Sequence, residues 1–164
     1  MPKKSAGLLL YRFQNDFFEV LLVHPGGPFW AKKDRAAWSI PKGEFNEEED
    51  PLDAAKRETL EEIGISIEAF NYHTSSFIEL TPVKQNSGKI VFAWAVESDV
   101  EENDLDAVAV KSNLFEMEWP PKSGKKRSFH EVDKAEWFNL EEAKKRIIPG
   151  QVPLIEELAL KLEY

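Results

Sequence analysis

The chain reads as an α/β protein, with a mixed β-sheet and helices packed on its faces. Three observations carry that expectation. Apolar, strand-like runs recur along the chain, and the first two are split by Gln14-Asn15-Asp16, a turn signal. One strongly capped helical stretch, Pro51 to Ile63, interrupts them. Two further helical segments close the chain, so strands outnumber helices as they do in a layered sheet fold.

The elements follow in order. Gly7–Phe13 and Phe17–Val23 predict a β-hairpin around that turn. His24–Ala37 is rich in Gly, Pro and Lys and reads as a long loop. Trp38–Pro41 is a short extended piece leading into Lys42-Gly43. After the central helix, Ile67–Leu80 and Lys89–Glu97 predict strands, with Asn86-Ser87-Gly88 as a turn between them. Leu114–Trp119 and Ala135–Phe138 predict two more. Leu140–Ile148 and Val152–Leu162 read as helices parted by Pro149-Gly150. No repeat, low-complexity tract or linker divides the 164 residues, so a single domain spanning 1–164 is expected.

Composition narrows the partners. There are no cysteines, which excludes a disulfide framework, a thiol nucleophile and a zinc–thiolate site. The N-terminal MPKKSAGLLLYRF has too few apolar residues for a signal peptide or a membrane span, so the cytoplasm is expected and a membrane is not. A net charge of −9 opposes binding to a nucleic-acid duplex, which needs a basic face. It does not oppose a nucleotide, because metal ions can bridge an acidic site and a polyphosphate. One basic run, Lys122, Lys125, Lys126 and Arg127, lies in a Pro/Ser/Gly setting and reads as a solvated loop or as a flap that meets phosphates.

The central helix carries the chemistry. Asp50 suits the N-cap, Pro51 the first helical position, and Gly64 the left-handed residue that ends a helix. Leu52, Ala55, Thr59 and Ile63 share one face and should pack on the sheet. Glu58, Glu61 and Glu62 share another, and Arg57 stands four residues before Glu61, in reach to orient it. Surface glutamates usually alternate with lysines. Here three carboxylates answer to one cation, and concentrated hard oxygen donors suit Mg²⁺ or Mn²⁺.

Gly43, Glu49, Arg57-Glu58, Glu61-Glu62, Gly64 and Ile65 occupy the fixed positions and spacings of the Nudix box, with Thr59 standing where an aliphatic residue is usual. The chain therefore resembles the Nudix hydrolases. Its flanks agree: Trp38-Ser-Ile-Pro-Lys-Gly-Glu resembles the lead into the box, and Glu136–Ala143 the last strand and helix start. The resemblance implies an α/β/α sandwich around a mixed sheet, with the box as a loop-helix-loop. It implies metal-dependent attack of water on the pyrophosphate of a nucleoside diphosphate linked to a second group. Glu58, Glu61, Glu62 and the Gly43 carbonyl are then the metal ligands. Glu61 or Glu58 positions or deprotonates the water, Arg57 orients them, and Glu49 is structural. Glu131 is the implied extra carboxylate from a later segment, with Asp133 as its substitute. Many relatives pair, so a homodimer is a possible assembly.

Substrate contacts are read less directly. Lys42 next to the box, Trp38, Lys125 and Arg127 are candidate phosphate or base contacts. Phe29, Trp30, Phe92, Trp94 and Trp119 are further candidates for a base platform, although aromatics at strand spacing more often belong to a core. The Trp-x-x-Pro-Lys-Gly wording resembles dinucleoside polyphosphate and inositol-pyrophosphate hydrolases. The tyrosine found after the box in one dinucleoside polyphosphate subgroup is absent, since Thr81, Pro82 and Val83 stand there. Dinucleoside polyphosphates lead, with (deoxy)nucleoside triphosphates, ADP-ribose and nucleotide sugars as alternatives. A non-catalytic nucleotide-binding module is the alternative class.

Overall fold

β1 (Lys4–Gln14) and β2 (Phe17–Pro25) form the expected antiparallel hairpin. Asn15 and Asp16, at φ 52° and 68°, supply the two left-handed residues that a tight hairpin requires. The computed structural model describes residues 3–64, 77–98, 100, 105 and 112–164. β1 shares one edge between two partners. Its far end, from Tyr11 to Gln14, pairs with β2, while Ser5–Gly7 pair with β3 (Lys42–Glu44). That split leaves a gap between β3 and the far end of β2, beside a cleft lined by Val23, Pro25 and Lys42.

On its other edge β1 runs parallel to β6 (Ile90–Glu97), a crossover neighbour. β6 also takes two short antiparallel strands, β4 (Ile78–Glu79) and β5 (Val83–Lys84). β2 pairs antiparallel with β9 (Val132–Asn139), giving the order β4-β6-β1-β2-β9. β7 (Leu114–Glu118) and β8 (Lys126–His130) form a separate two-stranded ribbon.

Helices cover both faces of the sheet. α1 (Pro51–Ile63) packs on one, burying Ala54, Ala55 and Ile63 against Leu8, Leu10 and Leu21. α2 (Leu140–Arg146) and α3 (Val152–Lys161) cover the other, where Leu154, Ile155 and Leu158 meet Leu9, Val20 and Leu22. Successive β1 residues point to opposite faces, and both faces are buried, so β1 reads as an unbroken apolar run rather than an alternation. The result is the expected α/β/α arrangement around a mixed sheet. Among the described residues no helix is long and apolar enough to cross a membrane.

Two sequence expectations change, and a third is described only at its end. The basic run is not a loop throughout: Lys126 and Arg127 open β8, and only the residues before them form the turn of the ribbon. Trp38 and Ser39 make single bridges, to Ile147 and Val23, and the regular strand begins at Lys42. Of the strand expected over Ile67–Leu80, the described end shows strand at Ile78–Glu79. Its first part, and the box residue Ile65, lie outside the described residues.

Candidate active site

The loop-helix-loop around α1 is held by local bonds. Asp50 Oδ2 accepts from the Asp53 N–H at 3.1 Å, capping the helix start. Gly64, at φ 71°, ends it by donating its N–H to the Leu60 carbonyl at 2.8 Å. Thr59, fully buried, donates its hydroxyl to the Ala55 carbonyl at 2.8 Å. A threonine therefore stands in an apolar position with no polar group unpaired.

One edge of α1 then presents its charged groups. Arg57 is their organiser. Its Nε and Nη2 donate to the two oxygens of Glu49, at 2.8 and 3.0 Å, a bidentate pair. Its Nη1 donates to Glu58 at 2.7 Å and to Glu61 at 3.3 Å. Glu49 thus anchors the arginine, and the arginine orients two carboxylates. The Glu58 carboxyl also lies against the backbone of Gly43. A Cβ at Gly43 would land on the carboxyl carbon and Oε2 of Glu58, so any larger residue at position 43 displaces that carboxyl. Glu62 is held from the same strand, accepting from the Lys42 backbone N–H at 3.2 Å.

Glu131 arrives from the turn between β8 and β9. Its carbonyl accepts from Gly26 N–H at 2.8 Å, and its own N–H donates to the Asn113 carbonyl at 2.7 Å. Burial, and then mutual repulsion, raises the proton affinity of Glu58, Glu62 and Glu131. Burial and the charge of Glu61 raise the Glu58 carboxyl above its ordinary range, and Glu131 adds to the effect. Burial pushes Glu62 up to about 8, against the pull of the Lys42 N–H and ammonium, with Glu58 and Glu131 contributing. Glu131 is raised by burial and then by Glu61. The Lys42 ammonium is depressed, by burial and then by Lys89.

This is a site short of positive charge, made of hard oxygen donors, and in donor chemistry it fits Mg²⁺ or Mn²⁺. Among the described residues no three acidic or histidine side chains converge into a ready-made cage. Arg57 instead occupies oxygens of Glu58 and Glu61. Lys42, Glu62 and Glu131 line a cleft of about 270 Å³ together with Trp30, Ser39 and Gln85.

Other predicted contacts are elsewhere. Trp38 is only 1% exposed. Its Nε1 donates to Asp34 at 2.9 Å and its ring stacks edge-on to Phe138 at 4.8 Å, so it is a core residue and not a substrate contact. Lys125 and Arg127 are exposed on the ribbon and line neither this cleft nor its neighbour. Asp133 faces away from the acids, its Oδ1 2.8 Å from Nδ1 of the buried His24. His24 Nε2 meets the Lys33 carbonyl at 2.6 Å, which pins the long loop to β2. Residues not singled out from sequence are Gln85 and Gln151. Buried Gln151 accepts from Ile40 N–H and donates to Ser39 and Gln85, which fixes the cleft floor. The Pro149-Gly150 break that frees this glutamine was its one visible signal.

Comparison with known proteins agrees with this architecture. The NUDIX domain family model matches residues 1–158. The chain is similar to the Ap4A hydrolase of C. elegans in a binary complex, at 25% identity and a TM-score of 0.62, covering 98% of both chains. It also resembles in fold the NUDIX domain of Shewanella oneidensis NrtR complexed with ADP ribose, at 14% identity and a TM-score of 0.63, covering 99% of this chain and 89% of that one. A mutT/nudix family protein of Listeria innocua matches at 15% identity and a TM-score of 0.61, covering 99% and 96%. With the family model matching nearly the whole chain, the chain belongs to the NUDIX family and is a phosphoanhydride hydrolase.

Proposed function

We propose that this hydrolase cleaves the pyrophosphate of a nucleoside diphosphate linked to a second group, with dinucleoside polyphosphates as the favoured class. The observation that carries the reading is a cleft lined by Glu62 of the box, Glu131 from a distant segment and Lys42, with Glu58 and Glu61 of the same helix held by Arg57. The activity named for the C. elegans relative supports the dinucleoside class. Glu58, Glu61, Glu62, Glu131 and the Gly43 carbonyl would hold Mg²⁺ or Mn²⁺. Such an ion, when bound, neutralises phosphate charge and acidifies water.

The chain's own groups do the rest. Arg57, fixed by Glu49, keeps Glu58 and Glu61 aimed at the reacting water. Lys42, whose ammonium holds its proton less tightly than usual, lies in the cleft beside Glu62 and meets a phosphate oxygen. Water oxygen attacks phosphorus, and its proton passes to the carboxylate of Glu58 or Glu61. The bridging P–O bond breaks, and the second phosphate departs with that bond's electrons.

The test is product release with Mg²⁺ and with Mn²⁺ across diadenosine polyphosphates, canonical and oxidised triphosphates, ADP-ribose and nucleotide sugars, with Glu61→Gln alongside. Diadenosine polyphosphate turnover that is absent in Glu61→Gln is the expected result. Faster turnover of another compound replaces the substrate class, and equal rates in the variant remove the mechanism.

A further inference from the structure

Next to the acidic cleft lies a second, of about 410 Å³, which shares Trp30 and Glu131 with it. Its other walls are Phe29, Phe115, Met117 and the backbone at Gly27. Its volume falls within the roughly 300–1,000 Å³ usual for ligand clefts. Its walls are aromatic and thioether, with charge only at the Glu131 end.

The cleft is built where the loop after β2 meets the β7–β8 ribbon, and two glycines make that contact. A Cβ at Gly26 would strike the His130 carbonyl, and Gly26 N–H donates to the Glu131 carbonyl at 2.8 Å. Gly27, at φ 93°, brings its backbone against Phe115, whose Cζ would lie 2.9 Å from any added Cβ. The same junction therefore positions Glu131 for the acidic cleft and Phe115 for the apolar one. Phe29 and Trp30 meet edge to face at 5.5 Å, and Lys33 Nζ sits 3.9 Å over Phe29 and steadies that ring.

Of the other candidate rings, Trp38 is buried, Phe92 meets Phe45 edge to face at 5.9 Å, and Trp94 packs beneath α1; none of them, nor Trp119, lines either cleft. Resting on the phosphate-hydrolysing reading above, we propose that this second cleft takes the base of the nucleotide, stacked on Phe115 and Trp30. A substrate whose phosphates lie beside Glu62 and Glu131 carries its nucleoside past Glu131 into these rings. Stacking tolerates any base, so both purines and pyrimidines enter, and the larger purine face binds more tightly.

The test is calorimetric titration of ADP and, separately, of inorganic pyrophosphate, each with Mg²⁺. Wild type is compared with Phe115→Leu, which keeps apolar bulk without a π-face, and with Phe115→Ala. The expected result is ADP binding weakened about 10-fold in Phe115→Leu and further in Phe115→Ala, with pyrophosphate binding unchanged. Unchanged ADP affinity in Phe115→Leu, equal loss for both ligands, or no ADP binding by wild type overturns the assignment. The hydrolytic reading is judged separately, by turnover in Glu58→Gln, so the two failures are told apart.

Discussion

The two faces of the sheet are built on opposite terms. On the α2/α3 face, Leu9, Val20, Leu22, Leu154, Ile155 and Leu158 make an apolar core, and its one buried glutamine, Gln151, has every bond met. On the α1 face the apolar stripe of Ala54, Ala55 and Ile63 is just as dry, yet the adjoining edge of the same helix carries carboxylates whose proton affinity is raised by burial and then by their neighbours' charge. One face is mainly apolar, and its buried polar groups include that bonded glutamine and the unpaired Ser5 hydroxyl of β1. The other violates electrostatics within a turn of helix, held in place by Arg57, Gly43 and the Lys42 N–H. A conflict confined to one edge of a well-packed helix marks where binding supplies what folding leaves out.

The largest effect that sharpens this contrast is on turnover. Glu58→Gln or Glu62→Gln is expected to lower kcat by roughly 10²–10⁴-fold, with circular dichroism unchanged. Gly43→Ala should approach the same loss by a steric route, because its Cβ displaces the Glu58 carboxyl. Leu158→Ala probes the opposite face. It should cost about 2–5 kcal/mol in denaturant titration while leaving turnover per folded molecule intact. Glu49→Gln breaks the bidentate anchor of Arg57 without touching substrate. It should lower kcat by about 10–100-fold with little change in KM.

The smallest effect is a pH slope. Folding raises Glu62 from 4.5 to about 8, so the folded protein holds a proton that the unfolded chain releases. This contribution to metal-free stability is full below about 4.5 and is lost as pH rises through about 8. Glu62→Gln should flatten the fall in stability across that window, measured by denaturant midpoints in chelator. An unchanged slope contradicts the burial of that carboxyl.

How far the sequence carried is clearest element by element. Asp50, Pro51 and Gly64 made α1 legible to the residue, because caps are local chemistry. The box acids and Arg57 were likewise visible as residue types at fixed spacing; Arg57 ties Glu49, Glu58 and Glu61 together, while Glu62 and Glu131 line the cleft beside Lys42. The β7–β8 ribbon was half-hidden, because much of both strands is exposed and Lys126-Arg127 has no apolar alternation to reveal a strand. β3 is three residues long and exists only through its pairing with β1. Trp38 carries the same side chain whether it faces solvent or core, and its burial depends on Phe138 and Asp34, a hundred residues away and four. The second cleft needed Gly27 and Phe115 brought together across the fold, which no spacing encodes.

The measurement that tests the central claim most directly is thermal unfolding with and without Mn²⁺, for wild type, Glu58→Gln and Leu158→Ala. If the α1 edge is built for a cation, Mn²⁺ raises the wild-type midpoint, and raises that of Leu158→Ala by a similar step from a lower start. Glu58→Gln should begin at least as stable as wild type in chelator and gain little from the metal. An equal Mn²⁺-induced rise in Glu58→Gln would place the cation elsewhere and contradict the account.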